Sequence, residues 1–174
     1  MKALIIGGTR GIGKATAEQL RGTGWEVGAS GKQHWDVRVD FCRALPTCYE
    51  LVFCAGSLAE EWAPAFAFPM MFYRACLDAI VSVGGVIVAV SSVAAARPAK
   101  VNAHYAAAKA ALESYARTVA DSDLAKVHGW RVEVVRFELV ETDMLKQLPA
   151  ETLTGRTAIS AEEAAKQIVD KMKG

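Results

Sequence analysis

The sequence predicts an α/β fold in which helices cover both faces of a doubly wound parallel sheet of about six strands, giving three layers (α/β/α). Strand-like and helix-like segments alternate along the whole chain, which is the pattern of repeated strand–helix units. The strand-like segments are short and almost wholly apolar, as Val86–Val90 illustrates, and strands of this composition are buried on both faces. Such a sheet places its ligand crevice at the carboxyl ends of the strands.

The first half of the chain holds four of the six predicted strands. Lys2–Ile6 is a short apolar strand, and the amphipathic helix Ile12–Arg21 follows it after a glycine-rich turn. Trp25–Ala29 is the second predicted strand. The remaining predictions in this half are strands at Trp35–Val39 and Tyr49–Cys54 and a very short helix at Phe41–Leu45.

The second half adds three helices and two strands. Pro69–Val81 is a predicted helix, and Val86–Val90 is a fully apolar strand. Asn102–Ala125 is the longest predicted helix and is rich in alanine, and Arg131–Phe137 is the sixth strand. The last helix, Ser160–Met172, opens with a serine N-cap and an acidic first turn. Neither a linker nor a repeat interrupts the chain, so the sequence predicts one domain, residues 1–174.

Composition narrows the classes of function. The 174 residues are 52% hydrophobic and 22% charged, as in an ordinary globular protein. Acidic and basic residues are mixed and the net charge is +1, which argues against a nucleic-acid groove. The most apolar segment, Ile80–Ala96, is too short and too rich in glycine and serine for a membrane span. We therefore expect a cytoplasmic protein with no membrane or nucleic-acid partner, whose four cysteines are free thiols and not metal ligands.

A glycine-rich turn follows the first strand in the stretch "LIIGGTRGIG". Gly7, Gly11 and Gly13 have the spacing G-x-x-x-G-x-G. Glycine permits a tight turn and lets the backbone approach a pyrophosphate, whose charge is favoured at the N-terminus of the next helix. A plain structural turn is the alternative, but the strand before it and the helix after it favour a phosphate-binding loop.

Four stretches resemble the short-chain dehydrogenase/reductase family, particularly its ketoacyl-reductase-like members. They are "GGTRGIG", "VFCAG" at Val52–Gly56, "SSVAAARPAKVNAHYAAAKAAL" at Ser91–Leu112 and "ETDM" at Glu141–Met144. The most specific feature is a serine thirteen residues before a tyrosine, with a lysine four residues after it. The resemblance implies a single NAD(P)-binding Rossmann domain, although this chain is short for the family.

Ser92, Tyr105 and Lys109 are the predicted catalytic residues. Tyr105 and Lys109 are one helical turn apart and share a helix face, while Ser92 follows a strand at the expected crevice. Reduction of a ketone needs a proton donor at the developing alkoxide, and a neighbouring ammonium lowers the pKa of a tyrosine. The resemblance implies the same roles, with Lys109 also binding the nicotinamide ribose and Ser92 the substrate carbonyl. By contrast, Ser91 is expected to be a turn residue, and His104 to lie on the surface.

The cofactor is expected to be NADP(H) in preference to NAD(H). No acidic residue follows the second strand, and Lys32 and Arg10 are cations that could reach a 2′-phosphate. Either Asp36 or Asp40 could contact the adenine, and we favour Asp40. The full set of expected cofactor contacts is Gly7, Thr9, Arg10, Gly11, Ile12, Gly13, Lys32, Asp40, Cys54, Ala55, Gly56, Tyr105, Lys109, Val140 and Thr142.

The chain departs from the family pattern in four places. "FCAG" replaces "NNAG", and the usual catalytic asparagine is missing from the helix before Val86–Val90. Phe137-Glu138 replaces "PG" after the sixth strand, and we expect Glu138 to face solvent. The third helix is nearly absent, and no seventh strand follows Met172, so a homodimer would pair through the helix that begins at Asn102.

Two functions follow from these observations. The first is an NADP(H)-dependent oxidoreductase that transfers a hydride between nicotinamide and a small carbonyl or alcohol substrate. The alternative is a catalytically weak or inactive module that senses NADP(H), which the missing asparagine favours. The sequence does not identify the substrate, because specificity in such folds lies in loops that are atypical here.

Overall fold

A computed structural model of the chain describes residues 1–31, 50–56, 62–79, 83–97 and 102–174. Its strands are β1 (Lys2–Ile6), β2 (Glu26–Ser30), β3 (Glu50–Phe53), β4 (Val86–Ser92) and β5 (Arg131–Phe137). Its helices are α1 (Gly11–Gly22), α2 (Trp62–Ala79), α3 (Ala103–Asp121), α4 (Asp123–His128), α5 (Ala150–Leu153) and α6 (Ala161–Lys173). Short 3₁₀ turns lie at Val93–Ala96 and Leu145–Gln147.

The five strands form one parallel sheet in the order β2-β1-β3-β4-β5. The chain moves outward from β1 to β2 and then returns to place β3 on the other side of β1. The strand order therefore reverses between β1 and β3, which is where open α/β sheets bind their ligands. This arrangement confirms the predicted doubly wound Rossmann-type fold. The predicted elements Trp35–Val39 and Phe41–Leu45 lie outside the described residues.

Two apolar clusters lie on opposite faces of the sheet. On one face, residues of α2 and α3 such as Phe72 and Leu112 pack against Phe53. On the other face, residues of α1 and α6 such as Leu20 and Ile168 belong to a second cluster. The sheet is therefore covered on both sides, as the apolar composition of the strands predicted. In the described part of the chain, no helix is long and apolar enough to span a membrane.

Two predicted helix boundaries are wrong. The helix expected to begin at Pro69 begins at Trp62, so the proline lies inside α2. The alanine and aromatic residues before it continue the helix, and their helical pattern outweighs the loss of one N–H donor. The helix expected over Asn102–Ala125 is divided into α3 and α4 at Ser122. The Ser122 Oγ accepts a hydrogen bond from the N–H of Ala125 at 3.1 Å, so this side chain caps the new helix and ends the previous one.

Candidate active site

The glycine-rich turn fits tightly between the ends of three strands. The N–H groups of Gly7 and Gly8 both donate to the carbonyl oxygen of Ser30, at the end of β2, at 2.8 Å. Gly7 has a φ of 83°, and a Cβ atom there would lie 2.9 Å from the backbone nitrogen of Ala55, just after β3. A side chain at this position would therefore be both strained and crowded, which explains the glycine.

The first turn of α1 presents backbone donors that no side chain caps. The N-cap residue, Arg10, makes no side-chain cap hydrogen bond, and no acidic residue lies in the first turn. A Cβ on Gly13 would collide with the carbonyl oxygen of Gly7, so the helix start lies directly against the turn. Free N–H groups at a helix N-terminus favour an anion. The turn and the helix start therefore fit the pyrophosphate of a dinucleotide.

A loop from the far side of the sheet reaches the same helix start. A Cβ placed on Gly11 would lie 3.2 Å from Cγ2 of Thr142. Val140, just before this loop, forms a parallel bridge with Ile159, which fixes the base of the loop. A cavity of about 420 Å³ opens between the loop and α1, lined by Gly11, Glu141, Thr142, Asp143, Leu145 and Lys146. The predicted contact Thr142 thus lies beside the glycine-rich turn, and Val140 lies at the base of the same loop.

The three predicted catalytic residues come together at the carboxyl edge of the sheet. Ser92 is the last residue of β4 and is 6% exposed. Tyr105 lies in the first turn of α3, close enough to Ser92 for the Ser92 hydroxyl to lower the pKa of the phenol. Lys109 follows one helical turn later, with Nζ 5.8 Å from the centre of the Tyr105 ring. The side chains therefore form one connected group.

Lys109 is almost fully buried, at 6% exposure, and its ammonium group is hydrogen-bonded to backbone carbonyls. Its Nζ donates to the carbonyl oxygen of Val90 at 2.7 Å and to that of Ala55 at 3.4 Å. A Cβ on Gly56 would lie 3.4 Å from the same Nζ, so glycine keeps this side of the ammonium open. An ammonium has three donors, and two are used by these carbonyls. The third is available for a ligand.

Burial controls the titration of this group. Desolvation lowers the pKa of Lys109 to about 8, although Cys54 and Glu113 oppose the shift. Desolvation also raises the pKa of the Cys54 thiol to about 12. The pKa of Tyr105 is raised as well, because burial outweighs the hydrogen bond from Ser92. The expected lowering of the Tyr105 pKa by Lys109 is therefore not found in the protein alone, where desolvation dominates.

The other predicted residues have mixed outcomes. Thr9 and Arg10 are exposed at the glycine-rich turn, and a Cβ on Gly31 would collide with Thr9 Oγ1, so the turn also contacts the end of β2. Cys54 follows β3 at the same edge and is a free thiol. His104 is exposed, as predicted. The residues expected near the adenosine, Lys32, Asp36 and Asp40, lie outside the described part of the chain.

Two predictions near the catalytic group have different outcomes. Ser91 is a buried strand residue and not a turn residue, because β4 continues to Ser92. Glu138 is exposed as expected, and its Oε1 pairs with Arg156 at 2.7 Å and with Arg97 at 3.4 Å. These contacts join the loop after β5 to the segment that follows Ser92.

Sequence reasoning missed two groups around α3. Asn102 is the N-cap of α3, and its Oδ1 accepts a hydrogen bond from the N–H of Tyr105 at 2.9 Å. Glu113 is buried and is hydrogen-bonded to Ser91 and Arg136. The signal for Glu113 was its position four residues after Lys109, which places Tyr105, Lys109 and Glu113 on one helix face.

Comparison with known proteins identifies the family and the fold of the chain. The model of the short chain dehydrogenase family matches residues 66–153. No curated protein matches significantly. Among solved structures, the protein lin1944 from Listeria innocua is 19% identical, with a TM-score of 0.78, over 100% of this chain and 94% of its own.

Two further structures were solved with nicotinamide cofactors. The 3-alpha-hydroxysteroid dehydrogenase from Pseudomonas sp. B-0831, complexed with NADH, is 19% identical with a TM-score of 0.75, over 99% of this chain and 89% of its own. A short chain dehydrogenase from Burkholderia cenocepacia J2315, in complex with NADP, is 22% identical with a TM-score of 0.70, over 96% of this chain and 88% of its own. These likenesses show the fold. Because the family model matches half of the sequence, the chain belongs to the short chain dehydrogenase family.

Proposed function

We propose that this chain is an NADP(H)-dependent oxidoreductase that acts on a small carbonyl or alcohol substrate. The observation that carries the proposal is the connected group of Ser92, Tyr105 and Lys109 at the same sheet edge as the glycine-rich turn. A turn suited to pyrophosphate and a hydroxyl pair suited to a carbonyl oxygen are needed together for hydride transfer, and neither alone would indicate it.

Each residue of the site has a separate role in the reaction. A bound nicotinamide supplies or accepts the hydride. Ser92 and Tyr105 offer hydroxyl groups to the carbonyl oxygen, and Tyr105 gives it a proton during reduction. The Lys109 ammonium then stabilises the phenolate that remains. In the oxidising direction Tyr105 takes the proton back, so Lys109 must stay charged for the phenolate to form.

Reprotonation of Tyr105 must use a route adapted to this chain. The resemblance implies an asparagine in the helix before β4, and α2 contains none. The carbonyl oxygens of Val90 and Ala55 hold Lys109 in its place. The third N–H of Lys109 is then the donor that can pass a proton toward Tyr105 or toward water.

The preference for NADP(H) is also part of the proposal. Arg10 is exposed at the glycine-rich turn, next in sequence to Thr9, which lies against Gly31 just after β2, so it can meet a phosphate without displacing packed side chains. The second cation invoked for this role, Lys32, is outside the described residues. Structures of similar fold contain either NADH or NADP, so the choice rests on the local charge.

The sensor is the second candidate, and one observation favours it. Burial raises the pKa of Tyr105, so the protein alone does not favour the phenolate. A module that binds NADP(H) and reports its redox state needs the glycine-rich turn but not a poised tyrosine. Under either function we propose one cytoplasmic domain that forms a homodimer through α3.

Replacement of Tyr105 by phenylalanine tests the proposal. The substitution removes the hydroxyl and keeps the ring, so we expect NADPH affinity to change less than about threefold and turnover to fall at least about 100-fold. Fluorescence titration with NADPH and NADH measures the affinity, and NADPH oxidation with aldehydes, ketones and quinones measures the turnover.

His104→Ala is the matched control, because His104 is the exposed neighbour of Tyr105 on the same helix. It should retain both binding and turnover. Full turnover in Tyr105→Phe would contradict the assignment of the general acid, whereas tight NADPH binding with no turnover in the wild type would favour the sensor.

A further inference from the structure

A second buried charge, Glu113, lies one helical turn after Lys109 on α3. Glu113 is 5% exposed, and its carboxylate accepts three hydrogen bonds. Ser91 Oγ donates to Oε1 at 2.7 Å, and Arg136 donates from Nε to Oε1 at 2.7 Å and from Nη2 to Oε2 at 2.6 Å. The two guanidinium bonds make a bidentate pair, which fixes the carboxylate in orientation as well as position.

The three residues of this network come from three elements, two of which, α3 and β4, carry the catalytic group. Glu113 lies on α3, one turn after Lys109. Ser91 and Arg136 are register partners on β4 and β5, and each precedes a residue of the next register pair, Ser92 and Phe137. The network therefore connects the helix that carries Tyr105 and Lys109 to the strand that carries Ser92.

Titratable groups face Lys109 from several sides. The Cys54 thiol lies after β3, Tyr105 lies one turn earlier on α3, and Glu113 lies one turn later. Glu113 is the carboxylate that interacts with Lys109 among the described residues. Arg136 on β5 and Arg117 on α3 act on Glu113 in turn and partly neutralise it.

A purely structural role explains this arrangement poorly. A buried ion pair loses much of its Coulombic gain to desolvation, and an apolar pair of similar volume is often as stable. Here the arginine is half exposed and the carboxylate is buried, and the carboxylate acts on Lys109, one helical turn away, as well as on Arg136. Its position compensates the ammonium, which has lost its hydration.

We propose that Glu113 is a positioning residue for Lys109: its carboxylate, held by Ser91 and Arg136, keeps the Lys109 ammonium charged and fixes α3 against the end of β4. This inference rests on the proposed function for its biological meaning. The electrostatic effect itself is a property of the protein without substrate or cofactor, and it can be measured separately.

The test measures the titration of Lys109 directly. Protein labelled with ¹³C at lysine Cε is titrated by NMR from pH 6 to pH 11, and the Lys109 signal is assigned by its loss in Lys109→Arg. Glu113→Gln keeps the shape and removes the charge. We expect it to lower the Lys109 midpoint by about one pH unit, a tenfold change in the ratio of amine to ammonium.

Arg136→Gln removes a positive charge from the same network, whereas Glu113→Gln removes a negative one. It leaves the Glu113 carboxylate less neutralised, so the Lys109 midpoint should rise. A structural role would loosen the same network in both variants and would move the midpoint in one common direction or not at all. Opposite shifts therefore support the proposal, and an unchanged midpoint in Glu113→Gln, or shifts of equal sign, overturns it. If Glu113→Gln does not fold, the rise expected in Arg136→Gln decides the question alone.

Glu133→Gln is the control, because Glu133 lies on β5 and pairs with Arg131 and Lys171 away from Lys109. It should leave the midpoint unchanged. If the chain turns over a carbonyl substrate, alcohol oxidation by Glu113→Gln should also lose activity at a lower pH than the wild type. If no substrate is found, the NMR result still tests the role of Glu113, so the two proposals can fail independently.

Discussion

Replacing Lys109 by methionine should stabilise the protein while it removes the proposed activity. The side chain is buried, and its pKa falls from an ordinary 10.5 to about 8. At about 1.4 kcal/mol per pKa unit, burial of the ammonium costs about 3 kcal/mol at pH 7. Methionine cannot make the hydrogen bonds to Val90 and Ala55, and their loss cancels about 1 to 2 kcal/mol of the stability gained. The net expectation is a gain of about 1 to 2 kcal/mol in unfolding free energy.

The gain in unfolding free energy should shrink as the pH rises. Below pH 8, Lys109 is protonated in both the folded and the unfolded protein, so the wild type carries the whole cost. Between pH 8 and 10.5 the folded protein releases this proton before the unfolded protein does, and the cost disappears. The buried Cys54 thiol, with a pKa of about 12, reduces stability above its ordinary value of 9, but it does so in both proteins. The difference between them therefore isolates Lys109.

Urea denaturation at pH 7, 8 and 9.5 measures this difference. Lys126→Met is the matched control, since Lys126 is exposed on α4 and pairs only at the surface with Asp121. It should change the unfolding free energy by less than about 0.5 kcal/mol at every pH. The argument fails if Lys109→Met is less stable than the wild type at pH 7, or if its advantage does not shrink as the pH rises.

Two further predictions concern backbone positions. Gly13→Ala should destabilise the protein by more than about 2 kcal/mol and weaken NADPH binding, because its Cβ collides with the carbonyl of Gly7. Gly22→Ala is the contrasting variant: with open space around it, it should stabilise α1 by about 0.5 to 1 kcal/mol. Denaturation measures both stabilities, and titration with NADPH measures binding. Asn102→Ala should lower the unfolding free energy by about 1 to 2 kcal/mol, because it removes the hydrogen bond that caps the N–H of Tyr105 and places alanine at a φ of 60°. Asn102→Gly also removes the cap but tolerates this φ, so its loss should be smaller. Equal losses in the two variants would contradict the backbone argument.

The sequence allowed the sheet edge and its chemistry to be predicted because both depend on local patterns. An apolar strand, a glycine-rich turn and a helix start are adjacent in the chain, so Gly7 and Gly13 could be placed without knowing the rest of the fold. The pair Tyr105 and Lys109 is likewise set by helical spacing alone. Ser92 needed only the end of a strand, although that strand continues two residues beyond its apolar run, to include Ser91 and Ser92.

The residues that were missed depend on contacts between elements. Glu113 meets Arg136 across 23 positions of sequence and Ser91 across 22, and no local pattern pairs a helix glutamate with residues of two strands. The start of α2 was misplaced because proline is favoured in the first turn of a helix and is costly in its interior, where Pro69 in fact lies. The division at Ser122 was missed because serine as a cap and serine as a helix residue differ only in side-chain geometry.

The distribution of buried polar side chains argues that this edge of the sheet is kept for chemistry. The described residues contain five such side chains, and four of them lie around the start of α3 and the end of β4: Ser91, Ser92, Lys109 and Glu113. Each removes apolar contact from a small core, and Lys109 and Glu113 carry desolvation costs that apolar residues would avoid. Folding alone would not concentrate these costs at one end of two elements. A stable but inactive Lys109→Met protein would show that the cost is retained for catalysis, and an unstable one would show that the network serves the fold.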